Sequence, residues 1–358
     1  MELTPYQSLA ERLNALPDGF PPTEDGAELR LLQFLYTPEE AQLAAQLRLT
    51  KETSNEIASR LDLDHKTIRD LLKKMSRKGL IAAGKVNGGI GFGLEPFVVG
   101  IYEHQAGRID KELAELFEDY YQQAFGTVVD IKPQFHRVIP VDETVDVDME
   151  VLPYESVTSL IDQANSWGVL DCICRQQKAL IGEACDHPVE VCMVFNERPD
   201  AFDGNPVIRA LDREGAYAVM RIATEAGLVH SISNKQDGHQ YICNCCTCSC
   251  GILRGMAEMG VANVVARSPF VSAVDEDLCA KCETCSDYCQ FDAITYQEIA
   301  VVDRNRCVGC GLCVLHCPDE AMTLERRPSE EVLPVPETLT DWRMDRAAAR
   351  GIKMDDVL

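Results

Sequence analysis

Cysteine is the residue type in this 358-residue sequence whose spacing points most directly to chemistry. All 17 cysteines follow residue 171, and five of them fall within the eight residues CNCCTCSC at 243–250. The N-terminal sequence MELTPYQSLAERL has no basic segment followed by an apolar run, and no uncharged stretch is long enough to cross a bilayer. We therefore expect a cytoplasmic protein without a membrane span, whose reduced cysteines bind metal rather than form disulfides.

The strongest pattern is an internal repeat with a period of 28 residues. Both copies have the spacing C-x2-C-x2-C-x3-C, which lets three thiolates surround one iron–sulfur cluster while the fourth reaches a second cluster. The first copy contains Cys279, Cys282, Cys285 and Cys289, and the second contains Cys307, Cys310, Cys313 and Cys317. A zinc site needs only four ligands and would leave this eight-cysteine repeat unexplained.

On these motifs, residues 274–326 resemble the bacterial two-cluster [4Fe–4S] ferredoxin. The resemblance implies one cluster on Cys279, Cys282, Cys285 and Cys317, and another on Cys307, Cys310, Cys313 and Cys289. Gln290 departs from the family, which usually has proline after the fourth cysteine. Because proline fixes φ and lacks an N–H donor, the loop beside Cys289 is expected to be looser or differently hydrogen-bonded.

A second cysteine-rich module lies at residues 151–270, where YESVTSLIDQANS and AYAVMRIATEAGL predict helices. Its candidate metal ligands are Cys172, Cys174, Cys185, Cys192, Cys243, Cys245, Cys246, Cys248 and Cys250. One or two additional iron–sulfur clusters are favoured here, because closely spaced thiolates can bind neighbouring irons. Zinc is the alternative, and inert buried cysteines remain open.

The ligand grouping in this module is a hypothesis. Cys172, Cys174, Cys185 and Cys192 would form one site, and four of the five cysteines in CNCCTCSC would form the other. His187 is expected to be a loop residue, with a ligand or hydrogen-bonding role left open. The motifs C-x-C-R, C-D-H-P-x3-C and C-N-C-C-x-C-x-C before a double ferredoxin motif also resemble multidomain ferredoxin-like proteins of anaerobic microbes, over residues 135–326. That resemblance implies electron transfer.

The N-terminal residues predict helices followed by a hairpin. Thr37 and Thr53 begin capping boxes, and Asp64 caps a third helix. The segment LIAAGKV, the turn NGG and the apolar run around FVVGIYE predict the hairpin. Residues 27–103 thus resemble the winged helix-turn-helix fold. Seven basic residues and one acid at 66–85 could contact DNA, although a solvated or protein-docking face is the favoured interpretation.

Acidic side chains are concentrated in residues 101–358. Residues 101–358 carry 22 basic and 44 acidic side chains, which repel nucleic acid and favour a redox partner with a basic docking face. NGGIGFG is interpreted as a turn, and no dinucleotide-binding fingerprint is found.

The predicted protein is α+β and multidomain. It has a winged-helix-like module (1–103), a connecting segment (104–150), the mixed cysteine-rich module (151–270), a ferredoxin-like 2[4Fe–4S] domain (274–326) and a tail (327–358) containing a short helix. We predict an electron-carrying component of an oxidoreductase system with no substrate site of its own. The alternatives are a redox-sensing DNA-binding regulator and a redox enzyme with a substrate-binding cluster in the middle module.

Overall fold

The computed structural model describes residues 3–146, 148–261 and 263–356. The chain divides into two compact units, Met1–Lys132 with Arg343–Leu358, and Pro133–Trp342. Both units contain helices and strands, in agreement with the predicted mixed fold class. Among the described residues, no helix combines the length and the apolar character that crossing a membrane requires.

The first unit consists mainly of helices, and local capping explains where several of them begin. Its helices are α1 (Pro5–Asn14), α2 (Ala27–Leu35), α3 (Pro38–Ala44), α4 (Ser54–Leu61), α5 (His65–Arg77), α6 (Lys111–Tyr120) and α7 (Gly126–Asp130). Thr37 starts α3 with a reciprocal capping box to Glu40. Thr53 starts α4 in the same way with Glu56, and Asp64 caps α5. These three helix starts agree with the sequence predictions.

A three-stranded antiparallel sheet completes the first unit. Its strands β1 (Glu52–Thr53), β2 (Ala82–Val86) and β3 (Gly89–Gly93) lie in the order β1–β3–β2. The predicted hairpin forms, but the prediction of its second strand at FVVGIYE was wrong. Val86 pairs with Gly89, so the chain reverses at Asn87 and Gly88 and the returning strand begins immediately. The apolar segment Phe97–Ile101 lies outside the sheet, and its side chains belong to the core.

The second unit contains a six-stranded antiparallel sheet that the sequence did not reveal. Its strands are β4 (His136–Val138), β5 (Ser166–Asp171), β6 (Glu190–Asn196), β7 (Arg209–Leu211), β8 (Val229–Ser233) and β9 (Tyr241–Cys245), in the order β4–β8–β9–β6–β5–β7. The two predicted helices are present as α8 (Val157–Gln163) and α10 (Arg213–Glu225). Their apolar side chains share one buried core with the sheet, which fixes the strand ends that carry the cysteines.

Two short helices follow strands of this sheet along the chain. Helix α9 (Ile173–Leu180) begins after β5, and α11 (Gly251–Ala257) begins after the cysteine segment that leaves β9. Cys172 and Cys250 are the residues at which these helices start. The sheet therefore places Cys172 and Cys250 at the starts of helices that follow β5 and β9.

The doubled cysteine repeat lies between two paired strands. Strand β10 (Phe270–Val274) pairs with β13 (Met322–Arg326), and Phe270 lies opposite Arg326. Between them, β11 (Ile294–Tyr296) and β12 (Ala300–Val302) form a hairpin. Each copy also contributes one helical turn, α12 (Thr284–Asp287) and α13 (Leu312–Leu315).

The tail contains α14 (Leu339–Ala349), which agrees with the short helix predicted there. Trp342 donates a hydrogen bond from Nε1 to the carbonyl oxygen of Gln134 at 2.8 Å. Arg346 is fully buried, and its Nη1 donates to the carbonyl oxygen of Ile131 at 2.7 Å. Backbone carbonyl acceptors therefore hold the side chains of Trp342 and Arg346 in this helix.

Candidate metal centres

Each cysteine loop of the repeat turns on residues with left-handed backbone. Lys281 and Glu283 have φ of 62° and 63°, and Gly309 and Gly311 occupy the equivalent positions with φ of 68° and 81°. A Cβ on Gly309 would lie 2.1 Å from the carbonyl oxygen of Phe270, so this position requires glycine. The internal repeat thus extends from sequence to backbone conformation, and it bends both loops around the cysteines.

Two cavities beside these loops are each lined by four cysteines. One is lined by Cys279, Cys282, Cys285 and Cys317. The other is lined by Cys289, Cys307, Cys310 and Cys313. Each set takes three cysteines from one copy of the repeat and the fourth from the other copy. These are the two sets that the ferredoxin resemblance implies, and four thiols around one cavity suit a [4Fe–4S] cluster.

Polar groups face several of these sulfur atoms. The Tyr296 hydroxyl lies 2.9 Å from Cys285 Sγ, and the Ser272 hydroxyl lies 3.1 Å from Cys313 Sγ. The backbone N–H of Ala293 donates to Cys289 Sγ at 3.4 Å. Burial raises the pKa of Cys313 to about 12, which favours the neutral thiol unless a cation lies nearby.

Residues 273–295 and 300–323 match the family described as 4Fe-4S binding domain. The two matches coincide with the two copies of the repeat. Residues 273–323 form a ferredoxin-like 4Fe–4S domain. Comparison with curated proteins and with solved structures finds no match to the chain.

Outside the ferredoxin-like domain, six cysteines form a continuous group of buried and half-buried thiols. This six-thiol ring consists of Cys172, Cys174, Cys192, Cys243, Cys245 and Cys250. Side-chain contacts join Cys172 to Cys174 and Cys192. Cys250 contacts Cys174 and Cys245, and Cys245 contacts Cys243. Cys192 and Cys243 interact electrostatically across paired strands β6 and β9, which closes the ring.

Arg175 is a buried cation close to the ring. Its side chain is 3% exposed, and Nη2 donates to the carbonyl oxygen of Asn244 at 2.9 Å and to Cys246 Sγ at 3.5 Å. Its Nε and Nη1 atoms are buried and have no hydrogen-bond partner among the described residues. Its charge also acts on Cys172 and Cys245. Because a buried cation is costly without nearby negative charge, this arrangement suits a site where thiolates gather.

A separate group contains the other three cysteines of the module and one histidine: Cys185, His187, Cys246 and Cys248. One ligand atom from each lies within 4.8 Å of all the others. Cys248 Sγ lies 3.7 Å from His187 Nδ1, and the Ser249 hydroxyl lies 3.4 Å from Cys185 Sγ. We call these four side chains the CHCC group, after their order in the chain.

This arrangement differs from the grouping expected from the sequence. Cys185 was grouped with Cys172, Cys174 and Cys192, but the structure places it in the CHCC group. His187 was expected to be a loop residue, and the structure brings its ring to three cysteines. The short spacings C-x-H at 185–187 and C-x-C at 246–248 were the available signal, because ligands two residues apart lie close together in any backbone conformation.

Gln290 joins this region to the ferredoxin-like domain. Its Oε1 accepts a hydrogen bond from the backbone N–H of Thr247 at 2.7 Å, and its Nε2 donates to the carbonyl oxygen of Gly227. Thr247 lies between Cys246 and Cys248, whereas Gln290 follows Cys289. Of the two expected outcomes for this loop, different hydrogen bonding is therefore observed. The residue that replaces the usual proline connects two cysteine sites through one side chain.

Proposed function

We propose that the chain is an iron–sulfur electron-transfer protein or subunit whose ferredoxin-like domain binds two [4Fe–4S] clusters. The pair of four-cysteine cavities carries this proposal, because each set combines the two copies of the repeat as a two-cluster ferredoxin does. The proposed ligands are Cys279, Cys282, Cys285 and Cys317 for one cluster, and Cys289, Cys307, Cys310 and Cys313 for the other. When bound, the clusters supply one-electron chemistry.

The protein contributes ligands, hydrogen bonds and charge. Hydroxyl and N–H groups facing the sulfurs favour the more negative, reduced state. The 44 acidic side chains of residues 101–358 outnumber the 22 basic ones, which supports a partner with a basic docking face. All 17 cysteines, which lie within the described residues, are free and therefore available as metal ligands.

The six-thiol ring is proposed to hold one additional iron–sulfur cluster. Six thiols from three chain segments provide more ligands than one zinc ion requires, and Arg175 offsets the negative charge of bound thiolates. Gln290 supports an electronic connection to the ferredoxin-like domain, because it directly follows Cys289 and its side chain accepts a hydrogen bond from Thr247 in the segment after β9.

Metal and electron counting on the full chain, purified without oxygen, tests this proposal. Two [4Fe–4S] clusters supply about eight iron atoms, so a further cluster should raise iron per chain above that number. Coulometric reduction should then show more than two electrons per chain. Cys174→Ser should lower both counts toward the two-cluster values. An iron content near eight that Cys174→Ser leaves unchanged would refute the additional cluster, and absence of iron in wild type would refute electron transfer.

A redox-responsive DNA-binding regulator is the second candidate, favoured by one surface of the winged-helix-like module. Lys74 lies in α5 and Lys78 follows that helix, and both form ion pairs with buried Glu40. Their Nζ atoms lie 3.1 and 2.7 Å from the Glu40 carboxylate oxygens. The remaining basic side chains of α5 are Lys66, Arg69, Lys73 and Arg77, whose spacing puts them along one stripe, and no ion pair involves them within the described residues. Such a stripe suits phosphate contacts.

Fluorescence anisotropy with a mixed-sequence DNA duplex tests this candidate. Binding should weaken steeply with salt, and Arg69→Ala with Lys73→Ala should weaken it at least tenfold. Lys111→Ala on α6, whose side chain pairs with Glu115, is the matched control. No binding at low salt, or equal loss in the control, would exclude this function.

A further inference from the structure

The CHCC group has the size of a site for one metal ion. Its four ligand atoms lie within 4.8 Å of one another. Zinc–sulfur bonds of about 2.3 Å in a tetrahedron put neighbouring ligand atoms about 3.8 Å apart. Metal binding therefore requires only small movements of these four side chains.

The same compactness argues against a cubane cluster at this position. A [4Fe–4S] cluster binds each thiolate on a different iron, so its ligands stand farther apart than those of a single ion. Across residues 3–146, 148–261 and 263–356, the CHCC group is the one set close enough to hold a single ion. The eight cysteines of the ferredoxin-like domain and the six-thiol ring do not form such a set. The module thus contains two geometrically different kinds of thiol site.

The surroundings of the CHCC group point to a bound, negatively charged metal complex. Three thiolates and one neutral imidazole around a divalent ion leave a net negative charge. Arg175, 3% exposed and with two buried nitrogens unpartnered among the described residues, donates to Cys246 Sγ at 3.5 Å. Ser249 provides a hydroxyl 3.4 Å from Cys185 Sγ. Both groups are outer partners of the kind that orient metal ligands and offset their charge.

We propose that Cys185, His187, Cys246 and Cys248 bind one zinc ion in a structural site distinct from the iron–sulfur sites. Sulfur and imidazole ligands in a closed set of four suit zinc, which is redox-inert and tetrahedral. The ion joins the loop after α9 to the segment after β9. That segment also carries Thr247, which Gln290 anchors, so zinc fixes the segment between the six-thiol ring and the ferredoxin-like domain.

Elemental analysis of the full chain, purified without oxygen, tests the site. Wild type should contain one zinc per chain in addition to iron. His187→Ala and Cys248→Ser should lose that zinc, whereas His187→Cys should retain it, because four thiolates also bind zinc. Cys192→Ser is the reciprocal control, which should lose iron from the six-thiol ring and keep zinc. Replacement of zinc by Co²⁺ should give the visible absorption of a tetrahedral thiolate complex in wild type and not in Cys248→Ser.

The outcomes separate this site from the proposed function, because zinc loss and iron loss are read independently. If wild type contains no zinc and takes up none from added Zn²⁺, the proposal is wrong. It is equally wrong if His187→Ala removes iron, since the group would then belong to a cluster. Should His187→Ala fail to fold, the His187→Cys variant and the Co²⁺ spectrum of wild type still decide the matter.

Discussion

Single hydroxyl groups distinguish the two proposed clusters of the ferredoxin-like domain. The Tyr296 hydroxyl lies 2.9 Å from Cys285 Sγ, and the Ser272 hydroxyl lies 3.1 Å from Cys313 Sγ. Each hydroxyl therefore contacts a sulfur of a different four-cysteine set. A hydrogen bond to a ligand sulfur stabilises the reduced cluster, which carries the additional electron, and so raises its reduction potential.

Tyr296→Phe should lower the potential of the cluster at Cys285 and leave the other unchanged. A bond contributing about 1 kcal/mol corresponds to roughly 40 mV for one electron. Ser272→Ala is the reciprocal variant and should lower the potential of the cluster at Cys313. Redox titration followed by electron paramagnetic resonance measures both. Equal shifts of both clusters in either variant would show that these hydroxyls do not act on individual sulfurs.

At the scale of the element, the two cysteine loops share a backbone shape but differ in their tolerance of side chains. Gly309→Ala should prevent the second loop from closing, because the added Cβ would meet the carbonyl oxygen of Phe270 at 2.1 Å. We expect a loss of about four iron atoms, one [4Fe–4S] cluster. The equivalent exposed Lys281 already has positive φ, so Lys281→Gly should keep its iron and change stability by about 1 kcal/mol or less. Full iron content in Gly309→Ala would contradict the loop geometry.

Elements fixed by neighbouring residues could be predicted from the sequence, whereas those fixed by distant pairing could not. The capping boxes at Thr37 and Thr53 are local, and both are present. The six-stranded sheet joins distant segments, and neighbouring residues do not determine how its strands pair. The two four-cysteine sets of the ferredoxin-like domain could be predicted because their cysteines follow a known spacing. The CHCC group could not, because His187 meets Cys248 across 61 residues and only the folded sheet brings them together.

At the scale of the whole molecule, the net charge of −24 makes stability depend on pH, and one half-buried carboxyl in the first unit opposes ionisation. Burial raises the pKa of Glu95 from 4.5 to about 7, with Asp18 adding to the rise and Lys51 and Arg343 opposing it. Between pH 4.5 and about 7, Glu95 is ionised in the unfolded chain but stays protonated in the folded chain. Folding stability from this group is therefore complete below pH 4.5 and decreases as the pH rises to about 7.

Glu95→Gln removes this titration and leaves the rest of the charge in place. The pKa shift corresponds to about 3 kcal/mol at most. Between pH 4.5 and 8, the free energy of unfolding of the variant should therefore rise by up to that amount relative to wild type. Urea unfolding of both proteins without oxygen, followed by far-ultraviolet circular dichroism, measures the difference at each pH. Subtracting the free energy of unfolding of wild type from that of the variant cancels the general effect of the acidic surface, because both proteins have the same surface. A difference that stays constant from pH 4.5 to 8 would mean that Glu95 ionises normally in the folded chain.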